Sequence, residues 1–289
     1  KWYRPDNQAV IVVGDIDVDA VEAKIKTLFS DIPVPAEPVA KPVVKLADNA
    51  EPIVGIITDP EAQYSYVELL WKREPLPKEL NNTDVAFMTE MIKRYVRQIM
   101  SERFSDIAAD PASPFIQAGL YFYPICNECD ATRAQVLFRE GNMAEALKTF
   151  MLEVEKMKQF GFTEAEVQRA TENILNGYEK AVEAAGSRKN GDFVDPLLNN
   201  FYQNESYLEP ELALQLAQGL CGQLNAQILN QLLGQLQFIT DENMIVLYNG
   251  PSKEGSIIPT EEEIRNVLAE VKTIEVKPNA EEAVNEPFI

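Results

Sequence analysis

Apolar runs and helical stripes divide the chain into two sets of elements, separated by a proline-rich stretch. Residues 8–13 (Gln-Ala-Val-Ile-Val-Val) form an apolar run ending at Gly14, the pattern of a buried strand. Asp17 or Asp19 then caps a helix in which Val18, Val21, Ile25 and Leu28 recur at helical spacing. Over 31–50 the periodicity stops. Pro33, Pro35, Pro38 and Pro42 predict a stiff, extended linker there, because each proline fixes φ and pushes its predecessor out of the helical region. A second set opens at Glu51. Residues 52–58 and 64–71 read as strands joined by the turn-rich Asp59-Pro60-Glu61-Ala62. A long helix follows over 83–107, with Val85, Met88, Ile92, Tyr95, Val96, Ile99 and Met100 as its apolar stripe. Strands are expected at 115–123 and 132–139.

Sidechain–backbone signals mark the remaining boundaries. Asn142 with Glu145 predicts a capping box for a helix ending at Gly161, and Thr163 with Glu166 repeats the device for a helix to about Ala185. Helical stretches follow near 193–203, 210–219 and 225–236. A last strand is expected at 243–249, and Thr260 with Glu263 caps a final helix to about Val271. Paired strands with tight connections, followed by long helices, predict an α+β fold: a mainly antiparallel sheet with long helices packed on one face.

One pattern recurs. Asn7-Gln-Ala-Val-Ile-Val-Val-Gly14 aligns without gaps on Asn243-Met-Ile-Val-Leu-Tyr-Asn-Gly250, and each is followed by an acid-capped helix. A repeat so widely spaced suggests a duplicated domain rather than a solenoid, although any buried strand ending in glycine can be matched to another. On that reading, residues 1–32 are the last strand and helix of a truncated first domain, 33–50 is a Pro-rich linker and 51–275 is a second, complete α+β domain. Residues 276–289 form an acidic tail or linker. The opening Lys1-Trp-Tyr-Arg-Pro-Asp has no apolar leader segment and no initial Met, as expected of a piece cut from a longer protein.

Charge and composition narrow the chemistry. Of 289 residues, 26 are Lys or Arg and 46 are Asp or Glu, a net charge of −20. That balance disfavours nucleic acid and anionic membrane surfaces, which need clustered cations. No apolar run approaches the roughly 18 residues of a membrane helix. The chain has no histidine. This removes Ser-His-Asp and Cys-His nucleophile pairs and zinc sites that need imidazole. Three cysteines, Cys126, Cys129 and Cys221, are too few for a disulfide scaffold and one short of a four-Cys zinc site.

Tyr3-Arg4-Pro5-Asp6-Asn7, then Ala9-Val-Ile-Val-Val-Gly-Asp-Ile-Asp-Val-Asp, then Leu28-Phe29 and Ile32-Pro33, resemble the segment that closes the first domain of a half-molecule in pitrilysin/insulinase-type zinc proteases. Gly161-Phe-Thr-Glu-Ala-Glu-Val-Gln-Arg-Ala170 is similar to the helix-opening segment of the next domain. The resemblance covers nearly the whole chain. It implies the duplicated-domain fold of that metalloprotease family and, for the parent protein, a zinc metalloendopeptidase. There zinc is held by an inverted His-x-x-Glu-His motif in the first domain, with a distant Glu as third protein ligand. This chain has no such motif. The equivalent helix of its own domain, over 83–107, has no histidine and offers Glu90 and Glu102 as its glutamates. The implied site assignment is therefore no catalytic, cofactor-binding or metal-binding residue in this chain. Its implied role is non-catalytic: part of the wall of a peptide chamber, with the parent's catalytic domain and a peptide substrate as partners. A scaffold or binding subunit of the same fold, without proteolysis, is the alternative. The compartment stays open, with the periplasm one option for a bacterial parent.

Four local features carry their own chemistry. Cys126-Asn-Glu-Cys129 could be a redox pair or half a metal site, but it falls in a predicted hairpin connection, where two thiols in a turn are the commoner meaning. Glu261-Glu262-Glu263 could hold Ca²⁺, but it opens a helix, where acids complement the dipole. Phe87, Met88, Met91, Tyr95, Met100 and Phe104 could line a peptide groove, although residues at helical spacing are more often core. Gly14 and Gly250 each follow a strand without the G-x-G-x-x-G of a nucleotide site. Finally, a strand at 8–13 separated from its sheet leaves an unpaired apolar edge. Two outcomes are open, docking onto its own second domain or pairing with the same strand of a neighbouring chain; the expectation is the second, a homodimer through residues 8–29, because two identical edges are each other's most available partner.

Overall fold

The computed structural model describes residues 3–280. Five strands, β1 (Ile53–Asp59), β2 (Ser65–Arg73), β3 (Phe115–Phe122), β4 (Asp130–Phe138) and β5 (Met244–Pro251), lie in one sheet in the order β1-β5-β2-β4-β3. Three of the four pairings are antiparallel; β1 and β5 run parallel. The helices are α1 (Val18–Phe29), α2 (Asp84–Ala109), α3 (Met143–Phe160), α4 (Glu164–Ala184), α5 (Val194–Gln203), α6 (Pro210–Cys221), α7 (Ala226–Leu236) and α8 (Glu261–Val271).

Alternation along the strands decides where the core sits. Register places Val54, Val246, Leu69, Ala134 and Leu120 in one row across all five strands, and every one is buried. Side chains two residues away, such as Val67, Trp71, Val136 and Tyr248, share that face because the strand period is two. α2, α3 and α8 pack on the sheet, and α4 packs on α2 and carries α6. Phe104 of α2 stacks on Phe150 of α3, with ring centroids 4.8 Å apart, and meets Phe115 of β3 edge-on. The stripe predicted for α2 is thus core: Met91, Tyr95, Met100 and Phe104 are buried, and Phe87 and Met88 pack against them half-buried.

Two capping boxes form as their spacing predicts. Thr163 Oγ1 accepts from the Glu166 amide while the Glu166 carboxylate accepts from the Thr163 amide, and Thr260 with Glu263 does the same. Asn142 departs from expectation. Its backbone (φ −98°, ψ 11°) is not the extended conformation a capping side chain needs, and it makes no cap hydrogen bond. Its intended partner Glu145 instead accepts from Lys148 at 2.7 Å.

The larger departure is at the opening. Residues 8–13 form no strand and pair with none of the five. A lone segment has no ladder to satisfy its amides, so apolar sequence alone does not make it a strand. Val10 is 51% exposed and Val12 is 47% exposed. α1 does form, with Asp17 accepting from the Ala20 amide as its cap, but it buries none of its residues. The linker at 33–50 has no regular structure. Of the tail at 276–289, residues 281–289 lie outside the described residues, as do Lys1 and Trp2.

Candidate functional site

The sequence-flagged residues fall into separate structural roles. Cys126 and Cys129 face each other across the tip of the β3–β4 hairpin, Cys126 exposed and Cys129 buried. Cys221 ends α6, buried, where its Sγ accepts from the Tyr95 hydroxyl at 3.4 Å. Burial pushes that thiol up, and pushes the Tyr95 hydroxyl up as well. Glu263 is occupied by its cap, and the backbone amide of Thr260 holds its carboxyl below the usual range. Glu90 accepts from Lys93 at 2.6 Å, and Glu102 takes Gln98 at 3.1 Å and Arg169 at 3.5 Å. Among the described residues, no three His, Cys, Asp or Glu side chains converge on one point.

The second face of the sheet carries no motif legible in the sequence. One row there runs Gly55–Leu247–Glu68–Gln135–Gly119, and its neighbours run Ile53–Ile245–Leu70–Arg133–Tyr121 and Ile57–Asn249–Tyr66–Leu137–Gln117. Apart from buried Leu70, these positions are half-buried or exposed. Apolar and aromatic side chains surround a polar centre in which Arg133 Nη1 lies 3.8 Å from Glu68 Oε1. Arg133 Nε is buried and without a hydrogen-bond partner among the described residues. A Cβ at Gly119 would collide with the ring of Tyr121, so glycine there lets that ring lie down along the strand.

This face turns into a cleft at β3, which ends the sheet. Glu90, Lys93, Arg94 and Arg97 of α2 and Tyr121, Phe122 and Tyr123 enclose about 100 Å³. Tyr121 and Tyr123 stack with centroids 6.3 Å apart. Lys93 Nζ is held between Glu90 and, at 3.8 Å, Asp130. Arg94 lies over the Tyr178 ring at 5.1 Å. Arg94 and Arg97 are exposed and neither makes an ion pair among the described residues. Two unpaired guanidiniums beside aromatic rings, in a chain of net charge −20, form a local anion-attracting spot. The signal was present in the sequence as basic positions at helical spacing, but it needs β3 alongside to become a cleft.

The family model of the peptidase M16 inactive domain matches residues 1–174. The chain belongs to the peptidase M16 family. Among curated proteins, it is 25% identical over 238 residues to the probable zinc protease PqqL of Escherichia coli strain K12, covering 82% of this chain and 25% of that protein. The PqqL of Haemophilus influenzae is 20% identical over 259 residues, covering 88% of this chain and 27% of that one. The chain thus spans about a quarter of the length of these relatives. Among solved structures, the first half of the periplasmic protease PqqL from Escherichia coli superposes with a TM-score of 0.79 at 22% identity, covering 96% of this chain and 59% of that one. The duplicated-domain fold expected from the resemblance is therefore that of its structural neighbours, and the α+β class with its mainly antiparallel sheet stands.

Proposed function

We propose that this M16 chain is the non-catalytic second-domain region of a zinc metalloendopeptidase, and that its uncovered sheet face is part of the wall of a peptide-binding chamber. The observation that carries the reading is that face: apolar and aromatic rows around a polar centre, ending in the Arg94–Arg97–Tyr121–Tyr123 cleft. An unfolded peptide is matched by such a surface because it offers apolar side chains together with unpaired backbone polar groups. On this reading residues 1–32 complete the preceding domain, 33–50 link it, 51–275 are the second domain, and 276–289 lead onward. The partner is the parent's catalytic domain, which supplies zinc; this chain contributes no metal ligand. The relatives' names support a zinc protease as parent, and a periplasmic location is carried over from the same source.

The test uses a fluorescently labelled, unfolded acidic peptide. Anisotropy is expected to show binding to the chain, and mass spectrometry to show the peptide intact. Arg94→Glu combined with Arg97→Glu is expected to weaken binding about tenfold at low salt, with the difference shrinking as salt rises. Equal binding by wild type and variant, or no binding at all, would refute this wall.

The opening arm has its own expected outcome. Val18 is 68% exposed and Phe29 is 47% exposed, on a helix with no buried residue. Covering such surface is favourable by roughly 25 cal/mol per Å². In the parent, the preceding domain covers it. In the isolated chain, the most available cover is the same segment of a second copy, so we expect a homodimer through residues 8–29. Sedimentation equilibrium should find the full chain dimeric and a version starting at Leu46 monomeric. Two monomers would end the idea.

A further inference from the structure

Cys126 and Cys129 flank the two-residue tip Asn127-Glu128 of the β3–β4 hairpin. They face each other as an isolated antiparallel bridge: the Cys129 carbonyl accepts from the Cys126 amide at 3.2 Å and also from the Ile125 amide at 2.8 Å, and the Cys129 amide donates to the Cys126 carbonyl at 3.1 Å. Residues paired in this way project their side chains from the same face of the ribbon, with α-carbons about 5.5 Å apart. A disulfide joins α-carbons from about 4.4 to 6.8 Å apart. We propose that Cys126 and Cys129 form a reversible intramolecular disulfide that closes the tip of this hairpin, a modification site of the M16 chain.

The two thiols are placed for different steps. Cys126 is exposed, so a soluble disulfide reaches it. Cys129 is buried and its Sγ donates to the Asp130 carbonyl at 3.4 Å, which shields it from outside reagents while leaving its neighbour within reach. The oxidant is a small-molecule or protein disulfide. The Cys126 thiolate attacks one sulfur of it, forming a mixed disulfide and releasing one thiolate. The Cys129 thiolate, having given its proton to solvent, then attacks Cys126 Sγ and releases the second. Two protein thiols and one disulfide become one protein disulfide and two small thiols, so atoms and electrons balance. Burial pushes the Cys129 thiol up, so the second step quickens with rising pH.

The geometry makes this a lock rather than a catalytic redox centre. Neither cysteine sits at a helix N-terminus, where a thiolate would be stabilised. The tip is tied to its surroundings at two points. Asn127 Oδ1 accepts from Gln203 Nε2 of α5 at 3.3 Å, and Asp130, next to Cys129, accepts from the Arg73 guanidinium of β2. Oxidation therefore fixes a loop that already joins α5 to the end of β2. Cys221 stays out of the reaction, because it is buried against Tyr95 in a different element.

The experiment equilibrates the full chain, under native conditions, with mixtures of reduced and oxidised glutathione. The thiols are trapped by alkylation and mapped by mass spectrometry. The expected result is that oxidising mixtures remove two of the three alkylatable thiols, that the linked pair is Cys126–Cys129, and that excess reduced glutathione restores both. Cys221→Ser should leave this unchanged and Cys126→Ser should abolish it. Three thiols persisting in excess oxidised glutathione would overturn the proposal. So would a stable glutathione adduct on Cys126 with Cys129 free, or a bond to Cys221.

Discussion

Glu166→Ala is expected to cost about 3–5 kcal/mol of folding stability, the usual consequence of removing one partner from a buried ion pair. Arg103 of α2 and Glu166 of α4 have side chains 8% and 10% exposed. Arg103 Nε and Nη2 donate to the two carboxylate oxygens at 2.6 and 2.9 Å, and Nη2 also donates to the Gly161 carbonyl at 3.0 Å. The guanidinium lies 5.2 Å from the centroid of Phe162. Its Nη1 is already buried without a partner among the described residues, so no slack remains to absorb a lost carboxylate. The same substitution removes half of the capping box at Thr163, adding to the loss. Urea denaturation of the chain measures the effect. Replacing both charges, Arg103→Leu with Glu166→Leu, is expected to cost clearly less than Glu166→Ala alone, because no orphaned charge is left. A Glu166→Ala loss under 1 kcal/mol would contradict this account.

The pair also sets a pH dependence. Burial by itself raises the Glu166 pKa, but the Arg103 hydrogen bonds and the Thr163 amide outweigh it and hold the carboxyl below its usual range. A depressed folded-state value means the unfolded chain takes up the proton first as pH falls. The pair's contribution is therefore full above the ordinary Glu value of about 4.3, and it is lost as pH falls through the folded-state value. In Glu166→Ala this part of the acid sensitivity disappears, which a series of urea midpoints across acidic pH would show.

Gly161→Ala should be nearly as damaging, about 2–5 kcal/mol, through backbone strain and overpacking together. Gly161 follows α3 with φ +70° and ψ −139°, a conformation that side chains other than glycine rarely adopt. A Cβ there would also run into the Asn230 side chain of α7. Asn230 cannot simply move aside. Its Oδ1 accepts from the Phe162 amide at 2.8 Å and its Nδ2 donates to the Phe162 carbonyl at 2.9 Å, satisfying both backbone polar groups of Phe162 at the turn into α4. Combining Gly161→Ala with Asn230→Ala should cost less than the sum of the two single losses, because the collision is then gone. Full additivity in the urea midpoints would mean the two residues do not compete for the same space.

Both substitutions strike Gly161-Phe162-Thr163-Glu166, the segment through which the chain resembles its family, and they show what could be read from it. The sequence alone determined whatever depends on neighbours in the chain. Thr163 with Glu166 and Thr260 with Glu263 cap helices because, once the N-cap backbone is extended, a side chain and an amide three residues apart come within hydrogen-bond reach. The stripe on α2 placed its part of the core, since the period of 3.6 is local geometry. Absence of histidine excluded the family's zinc motif without any structure. Only the tertiary structure decided the rest, because it turns on partners far along the chain. The box residue Glu166 becomes a buried ion pair only when α2 brings Arg103 to it. Arg94 and Arg97 become a cleft only when β3 lies alongside α2. Residues 8–13, as apolar as any strand here, remain unpaired, because a strand is made by the neighbour that completes its hydrogen bonds, and the described residues provide none.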